Sequence, residues 1–597
     1  MTMLQERSAV KVQDTWDLTP MYASLAAWEK DYARLLSDEE GFQKKILSYK
    51  GRLAEGPALC KEFIEYMMGI DRWLSKLMTY AHLLYDQDVG CDQHKNAYGK
   101  IRHTAHEFSE ALSWFEPELL QLPSSTLDAI LNYEPLSEFK VVLEKIIRLK
   151  PHTLSKEEEQ ILSIAGKLAQ GPYYIFSSFN NADLKFAKAH NEDGKEFEVT
   201  HGSYHLYMES KDRELRKSAF HSMHQAFSSF ENTLVETLQA QVQSHVFYAK
   251  ARRYTSSLEA ALFPHHIDVK VYQNLIDTVR ARIDAMHRYV HARKQFLNLE
   301  KIHAYDMYVP CVKEFTMRFT YDEAVDLIIE AVAILGKEYQ RILKDGLTSA
   351  RWVDRYENLK KRSGAYSSGC YDSYPYILMN YQGTLSDVLT LAHEAGHSMH
   401  SYLSAKHQPY QYSSYTIFVA EVASTFNEEL VFRSLIKRVK SDEEKKYLIN
   451  KKVDGIRGTL FRQTLFAEFE WKIHQYVEQG DPLTPKLLKE LYRNLNRDYY
   501  GFDFCSDDLI EYEFMRIPHF YSNFYVYQYA TGISAALALV DKVTQENNPK
   551  PYLDFLSSGS KEYSLDLLRK AGVDMTCSAP INVLINRFDH LVKELFA

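Results

Sequence analysis

Apolar side chains recur every three to four residues along most of this chain, and that period dictates helices over strands. In residues 25–36 (LAAWEKDYARLL), Leu25, Trp28, Tyr32 and Leu36 form one stripe. Similar stripes recur near 63–80, 143–149, 157–168 and 215–248, and another helical stretch is expected over 269–299. Pro117, Pro123, Pro135 and Pro151 punctuate the first quarter, which reads as helices joined by short loops. The expected fold class is therefore mainly α. A chain of 597 residues buries a large core without disulfide or metal staples.

Two patches break the helical period. Residues 184–207 run LKFAKAH, NEDG, KEFEVTHGSYHLY and read as a β-hairpin turning at Asp193-Gly194, because glycine tolerates positive φ. A boundary is placed near its end, giving an N-terminal helical lobe over 1–200 and a second helical domain over 201–597. The other patch is 364–383, GAYSSGCYDSYPYILMNYQG. Its aromatic stretch 374–381 reads as an edge strand, since Pro375 near the start donates no ladder hydrogen bond.

Composition closes off several classes. Apolar residues make up 45% and charged residues 25%, which excludes a largely disordered or collagen-like chain. Net charge is 71 − 80 = −9, so a nucleic-acid phosphate backbone is not expected as the main partner. Six scattered cysteines without a CxxC pair fit reduced thiols in a cytoplasmic protein. The opening MTMLQERSAVKVQDTWDL has no apolar signal core. The strongest apolar run, 533–540, is far below the roughly 20 residues of a membrane span, so no membrane partner is expected.

Directly after the second patch comes SDVLTLAHEAGHSMHSYLS, which contains His393-Glu394-Ala395-Gly396-His397, an HExxH sequence. Residues four apart on a helix lie about 40° apart around its axis, so His393 and His397 project together and suit one Zn²⁺. Glu394, one position round, reaches a water at that metal as general base. Chance supplies about 0.06 such matches in a chain with this composition, so context has to decide. Ser386 reads as the helix cap, with Asp387 favouring the dipole in the first turn. Val388, Leu391, Ala392, Ala395 and Met399 mark the helix as buried, and buried histidines need partners. Gly396 costs roughly 1 kcal/mol in a helix, which suggests close approach by another backbone.

A catalytic zinc takes a third protein ligand and keeps one position open. The next helix, SSYTIFVAEVASTFNEELVFRSL, places Glu421, Ser424, Thr425 and Glu428 on one face, with Ile417, Phe418, Val422, Phe426 and Leu430 as core contacts. Glu421, embedded in FVAEVA and poorly placed for solvent, is the choice of third ligand. Glu428, two turns on, is the candidate for orienting a ligand histidine by a hydrogen bond.

The chain holds 42 tyrosines and 31 phenylalanines, most of them explained by packing. The exception is 516–532, RIPHFYSNFYVYQYATG, where Tyr521, Tyr525 and Tyr529 repeat every four residues beside His519. An aromatic core stripe is the bland reading. A peptide oxyanion, however, needs neutral or cationic donors opposite the metal, and a histidine–tyrosine pair on a glycine-flanked segment fits. His519 and Tyr529 are the choices, with Tyr525 as the alternative donor or substrate contact. His265, His266, His400 and His407 read as surface or packing histidines.

Taken together these blocks resemble oligoendopeptidase F, a branch of the thimet-oligopeptidase-like zinc metallopeptidases, over nearly the full length. The resemblance runs through TWDLTPMY, the hairpin block, RRYTSSLEAALF, PYILMNYQGT…LAHEAGHSMH, FVAEVASTFNE and PHFYSNFYVYQYATG. It implies a two-lobed helical body enclosing a deep channel and zinc ligands at His393, His397 and Glu421. It also implies a general base at Glu394 and hydrolysis of internal bonds in short oligopeptides. Oxyanion donors carry over less directly, leaving Tyr525 against Tyr529 open. An end-trimming peptidase and an inert peptide-binding scaffold are the competing readings.

Overall fold

Helix formers and regular apolar stripes dominate the sequence, and helices dominate the computed structural model, which describes residues 4–37, 41–313, 315–507 and 509–597. The 25–36 stripe forms the helix Leu25–Leu36, and the 63–80 stripe lies inside the long helix Pro57–Gln87. Where one long stripe was expected the chain often breaks in two: 215–248 is divided between Arg213–Ser228 and Glu231–Ala251, and 269–299 between Val269–Ala281 and Asp284–Phe296. Among the described residues no helix is long and apolar enough to cross a membrane.

The chain divides into two compact units, each assembled from three stretches. The first contains Met1–Ser155, Thr316–Lys437 and Leu539–Val573; the second contains Lys156–Phe315, Arg438–Ala538 and Asp574–Ala597. This division differs from a single boundary near residue 200, because the apolar faces of helices far apart in sequence pack together in each unit.

In the first unit, Trp28, Phe63, Leu74 and Leu77 are fully buried in the N-terminal core, and the Trp28 indole N–H donates to Leu77 O at 2.9 Å. Tyr376 and Leu378 belong to the same core. They lie on β5 (Tyr376–Leu378), the middle strand of a three-stranded sheet ordered β3–β5–β4, with β3 at Val353–Asp354 and β4 at Tyr366–Ser368. β3 pairs with β5 in parallel (Val353 opposite Ile377), and β4 pairs with β5 antiparallel (Ser367 opposite Ile377). The expected edge strand at 374–381 is therefore a central strand. Pro375 is accommodated because it falls just before the first ladder residue. The edges are β3 and β4. Tyr366 ties β4 to the long helix Pro57–Gln87, its hydroxyl donating to the buried Asp86 carboxylate at 2.8 Å.

In the second unit the hairpin forms as two short strands, β1 (Ala189–His190) and β2 (Glu196–Phe197), around Gly194 at φ +78°. Its second arm ends sooner than expected. Thr200 caps a helix His201–Met208, its side chain accepting from the Ser203 amide at 3.0 Å, so SYHLY is helical.

Candidate metal centre

The HExxH sequence lies on the helix Leu385–His407 of the first unit. Its cap is Thr384, not the expected Ser386, which lies inside the first turn. Thr384 Oγ1 accepts from the Asp387 amide at 3.2 Å, and Asp387 Oδ2 accepts from the Thr384 amide at 2.8 Å. Val388, Leu391, Ala392, Ala395 and Met399 are all fully buried, as their period requires. Gly396 meets a second helix, Ile417–Arg438: a Cβ there would lie 2.4 Å from Ala423 O and 2.6 Å from Ser424 Cα. Glycine is thus what lets the two helices approach closely enough for their side chains to share one site.

At that crossing His393, His397 and Glu421 come together, their ligand atoms all within 4.8 Å of one another. His393 Nε2 lies 3.2 Å from His397 Nε2 and 3.3 Å from Glu421 Oε2, and His397 Nε2 lies 3.7 Å from the same carboxylate oxygen. Donors about 2.1 Å from a tetrahedral metal ion sit about 3.4 Å apart, so the triangle has the size that such an ion requires. Two imidazoles and one carboxylate are also the donor set of an open, four-coordinate site.

Phe418, Val419, Val422 and Ala423 are buried, but Glu421, expected to be shielded from solvent, has a side chain 42% exposed. Ile417, expected in the core, is 62% exposed. Ser424, one turn on, donates to Glu421 Oε2 at 3.1 Å and fixes its direction. Glu428 Oε1 lies 2.5 Å from His393 Nδ1, the contact expected of an orienting carboxylate.

Three carboxylates surrounding two imidazoles give the site a negative field. Burial disfavours the His393 imidazolium, but hydrogen bonds to Glu421 and Glu428 outweigh it and push the group up to about 10. The hydrogen bond with His393 holds Glu421 down at about 2, against the cost of burial. Burial and the charge of His393 push His397 down to about 4. Such a field favours a dication. Glu394 is nearly buried, and burial raises its carboxyl above the ordinary range, with the Glu421 charge adding to the rise and His393 opposing it. The backbone of Ser367 on β4 gives Glu394 a hydrogen bond, and Ser367 Oγ lies 2.8 Å from Ser398 Oγ on the HExxH helix. Glu394 therefore sits between the helix and the edge strand.

His519, Tyr525 and Tyr529 all lie in the second unit. They do not share a helical face with Tyr521. Pro518–Tyr521 is a 3₁₀ turn, Phe524 adopts φ +53°, and the helix Tyr527–Glu546 carries Tyr529 alone of the four. Tyr521 is a packing residue, its ring stacked on Phe176 at 4.5 Å. The other three form a cluster: Tyr529 Oη lies 3.3 Å from His519 Nε2, and the Tyr525 ring lies 5.5 Å from that of Tyr529. The glycines flanking this segment, Gly532 after it and Gly501 upstream in DYYGFDF, give no hinge: Gly532 is inside the helix, and a Cβ on Gly501 would meet the His287 ring at 2.7 Å.

Ser367, Thr384 and Tyr415 escaped the sequence reading. Tyr415 reaches Ser401 Oγ at 2.9 Å, with its ring stacked on His400 at 3.7 Å, so His400 is a packing histidine as expected. Thr384 was legible as a Thr-x-x-Asp box, whereas nothing local marked Ser367 or Tyr415.

Comparison with known proteins shows the family. The family model described as Peptidase family M3 matches residues 206–584, and the one described as Oligopeptidase F matches 118–186. The chain is 42% identical over 595 residues to Oligopeptidase PepF of Bacillus subtilis, covering 99% of this chain and 88% of the relative. Among solved structures, a putative peptidase from Chlamydophila abortus superposes with a TM-score of 0.94 at 41% identity, covering 100% of both chains. The oligoendopeptidase-F of Enterococcus faecium superposes with a TM-score of 0.73 at 34% identity, covering 95% of this chain and 98% of that one. With family match, full-length identity and fold in agreement, the chain belongs to peptidase family M3, in its oligoendopeptidase F branch, and is a metallopeptidase.

Proposed function

We propose that the chain is a zinc-dependent endopeptidase that hydrolyses internal bonds of short oligopeptides. The observation that carries this reading is the His393–His397–Glu421 triangle of tetrahedral size, with Glu394 beside it. When bound, the zinc ion supplies a Lewis acid that activates water and polarises a carbonyl. Glu394 removes the proton of the attacking water and delivers it to the leaving amine, a task suited to a carboxyl raised by burial. Glu428 holds His393 in the tautomer that leaves Nε2 free to act as a ligand. Peptide docking by strand addition is assigned to β4, since β5 is paired on both sides and β4 is the edge strand whose Ser367 backbone bonds Glu394. His519 and Tyr529, with Tyr525 as the alternative, act as oxyanion donors. The resemblance and their mutual contact support that role. Six cysteines without a disulfide among the described residues support a cytoplasmic location.

The test uses a peptide blocked at both ends, with products read by mass spectrometry. The wild-type chain cleaves it internally, and Glu394→Gln keeps its metal but loses about 10²–10⁴-fold in kcat. Intact blocked peptide with trimming of the free peptide would point to an exopeptidase. Unchanged turnover in Glu394→Gln would overturn the mechanism.

A further inference from the structure

Glu470 is fully buried in the helix Arg462–Gln479 of the second unit, with no arginine or lysine bonded to it among the described residues. Its Oε1 accepts from the Phe524 amide at 2.7 Å, while Oε2 is buried without a hydrogen-bond partner among the described residues. Burial raises its carboxyl well above the ordinary range. This buried carboxyl is spent on one backbone amide, that of Phe524.

Phe524 is in the left-handed region at φ +53°, a conformation that a bulky side chain adopts only when its surroundings impose it. The surroundings here are specific. His474, one turn beyond Glu470, packs its ring on the Phe524 ring at 4.4 Å, and Tyr272 meets the same ring edge-on at 5.5 Å. His474 is locked in turn: Nδ1 donates to Glu470 O at 2.8 Å, so Nε2 accepts from His245 Nδ1 at 3.0 Å. Gln241 completes the chain at His245 Nε2, 2.8 Å away.

The turn held in this way separates the candidate oxyanion donors. Ser522 N donates to His519 O, and Tyr525 N donates to Ser522 O, each at 2.9 Å. The left-handed residue between them reverses the chain so that the His519 and Tyr525 rings lie parallel at 6.0 Å. Tyr529 then meets His519.

We propose that Glu470 is a positioning residue: its carboxyl group, backed by His474, holds the Phe524 amide and fixes the left-handed turn that sets His519 against Tyr529. The proposal rests on the reading of His519 and Tyr529 as oxyanion donors.

The experiment measures kcat, KM, metal content and thermal midpoint on the full-length, zinc-loaded chain with a quenched oligopeptide. Glu470→Met keeps the volume but removes the acceptor; kcat falls about 10–100-fold, with KM and metal content unchanged. Glu470→Gln still accepts the Phe524 amide and retains kcat within about 3-fold. In a Phe524→Gly background Glu470→Met costs less than about 3-fold, since glycine takes positive φ unaided. If Glu470→Met alone does not fold, this background carries the test: a folded, active double variant supports the proposal, and a folded, inactive one contradicts it. Tyr529→Phe and His519→Ala separate the two layers. Full kcat in both would overturn the donor reading, and the positioning role with it. Loss of kcat in them, with kcat intact in Glu470→Met, would overturn the positioning role alone. So would equal losses in Glu470→Gln and Glu470→Met.

Discussion

Glu428 Oε1 stands 2.5 Å from His393 Nδ1, on the ring nitrogen opposite the one that faces Glu421. One ring is thus gripped from both sides by carboxylates of a single helix, at positions seven residues apart. The second contact determines which nitrogen is free to bind a metal.

Removing that contact predicts a weaker site with the same ligands. Glu428→Ala should lower metal affinity about 10–100-fold, measured by chelator competition, with turnover largely recovered at saturating zinc. Unchanged affinity would show that the ring is held by other means.

Gly396→Ala tests the crossing of the two helices. Its new Cβ would sit 2.4 Å from Ala423 O, and backbone cannot move aside as a side chain can. The expected cost is about 1–3 kcal/mol in urea unfolding, with a fall in metal affinity as the helices separate. Stability and affinity equal to the parent would contradict the close approach.

Tyr366→Phe removes the hydroxyl that ties the edge strand to Asp86. If peptides dock on β4, KM should rise about 3–10-fold while metal content stays the same. An unchanged KM would remove β4 from the docking account.

Acid should destabilise the second unit before its carboxylates titrate. Burial pushes His224 down to about 4, His245 to about 3, with repulsion from His474 adding to it, and His474 to about 4. Their folded values lie below the unfolded value of roughly 6.5, so the unfolded chain binds more protons in between. Their contribution is complete above about pH 6.5 and is lost as pH falls towards 4 and 3, at up to about 1.4 kcal/mol per unit for each group. Glu513 extends the loss at lower pH. Burial opposes its charge, but Arg462 and Arg516 hold it at about 2. Urea midpoints across pH 5–8 check the sign. His224→Phe should flatten the slope, and a midpoint that rises on acidification would contradict it.

The grouping of His393, His397 and Glu421 was legible because its parts are local: HExxH puts two candidate ligands on one turn, and the next helix offers few carboxylates at the right phase. Gly396 was legible for the same reason, as a helix-breaking residue in an otherwise apolar stripe. Relations decided by distant residues were not. The central position of β5 depends on Val353 and Tyr366 flanking it, and the break after Tyr521 lies beside a contact between distant residues, the Phe524 amide donating to Glu470. The hairpin arm misread as strand shows the opposite limit: Thr200 is a local cap, and the aromatic run after it masked the signal.

His393, His397 and Glu421 are expected to bind one divalent ion together. The most direct measurement is metal stoichiometry after chelation and dialysis against zinc, on the parent chain and on Glu421→Ala and His397→Ala variants of verified fold. The account predicts one zinc per parent chain and substoichiometric zinc in both variants. A parent chain without zinc, or variants that retain a full equivalent, would contradict it.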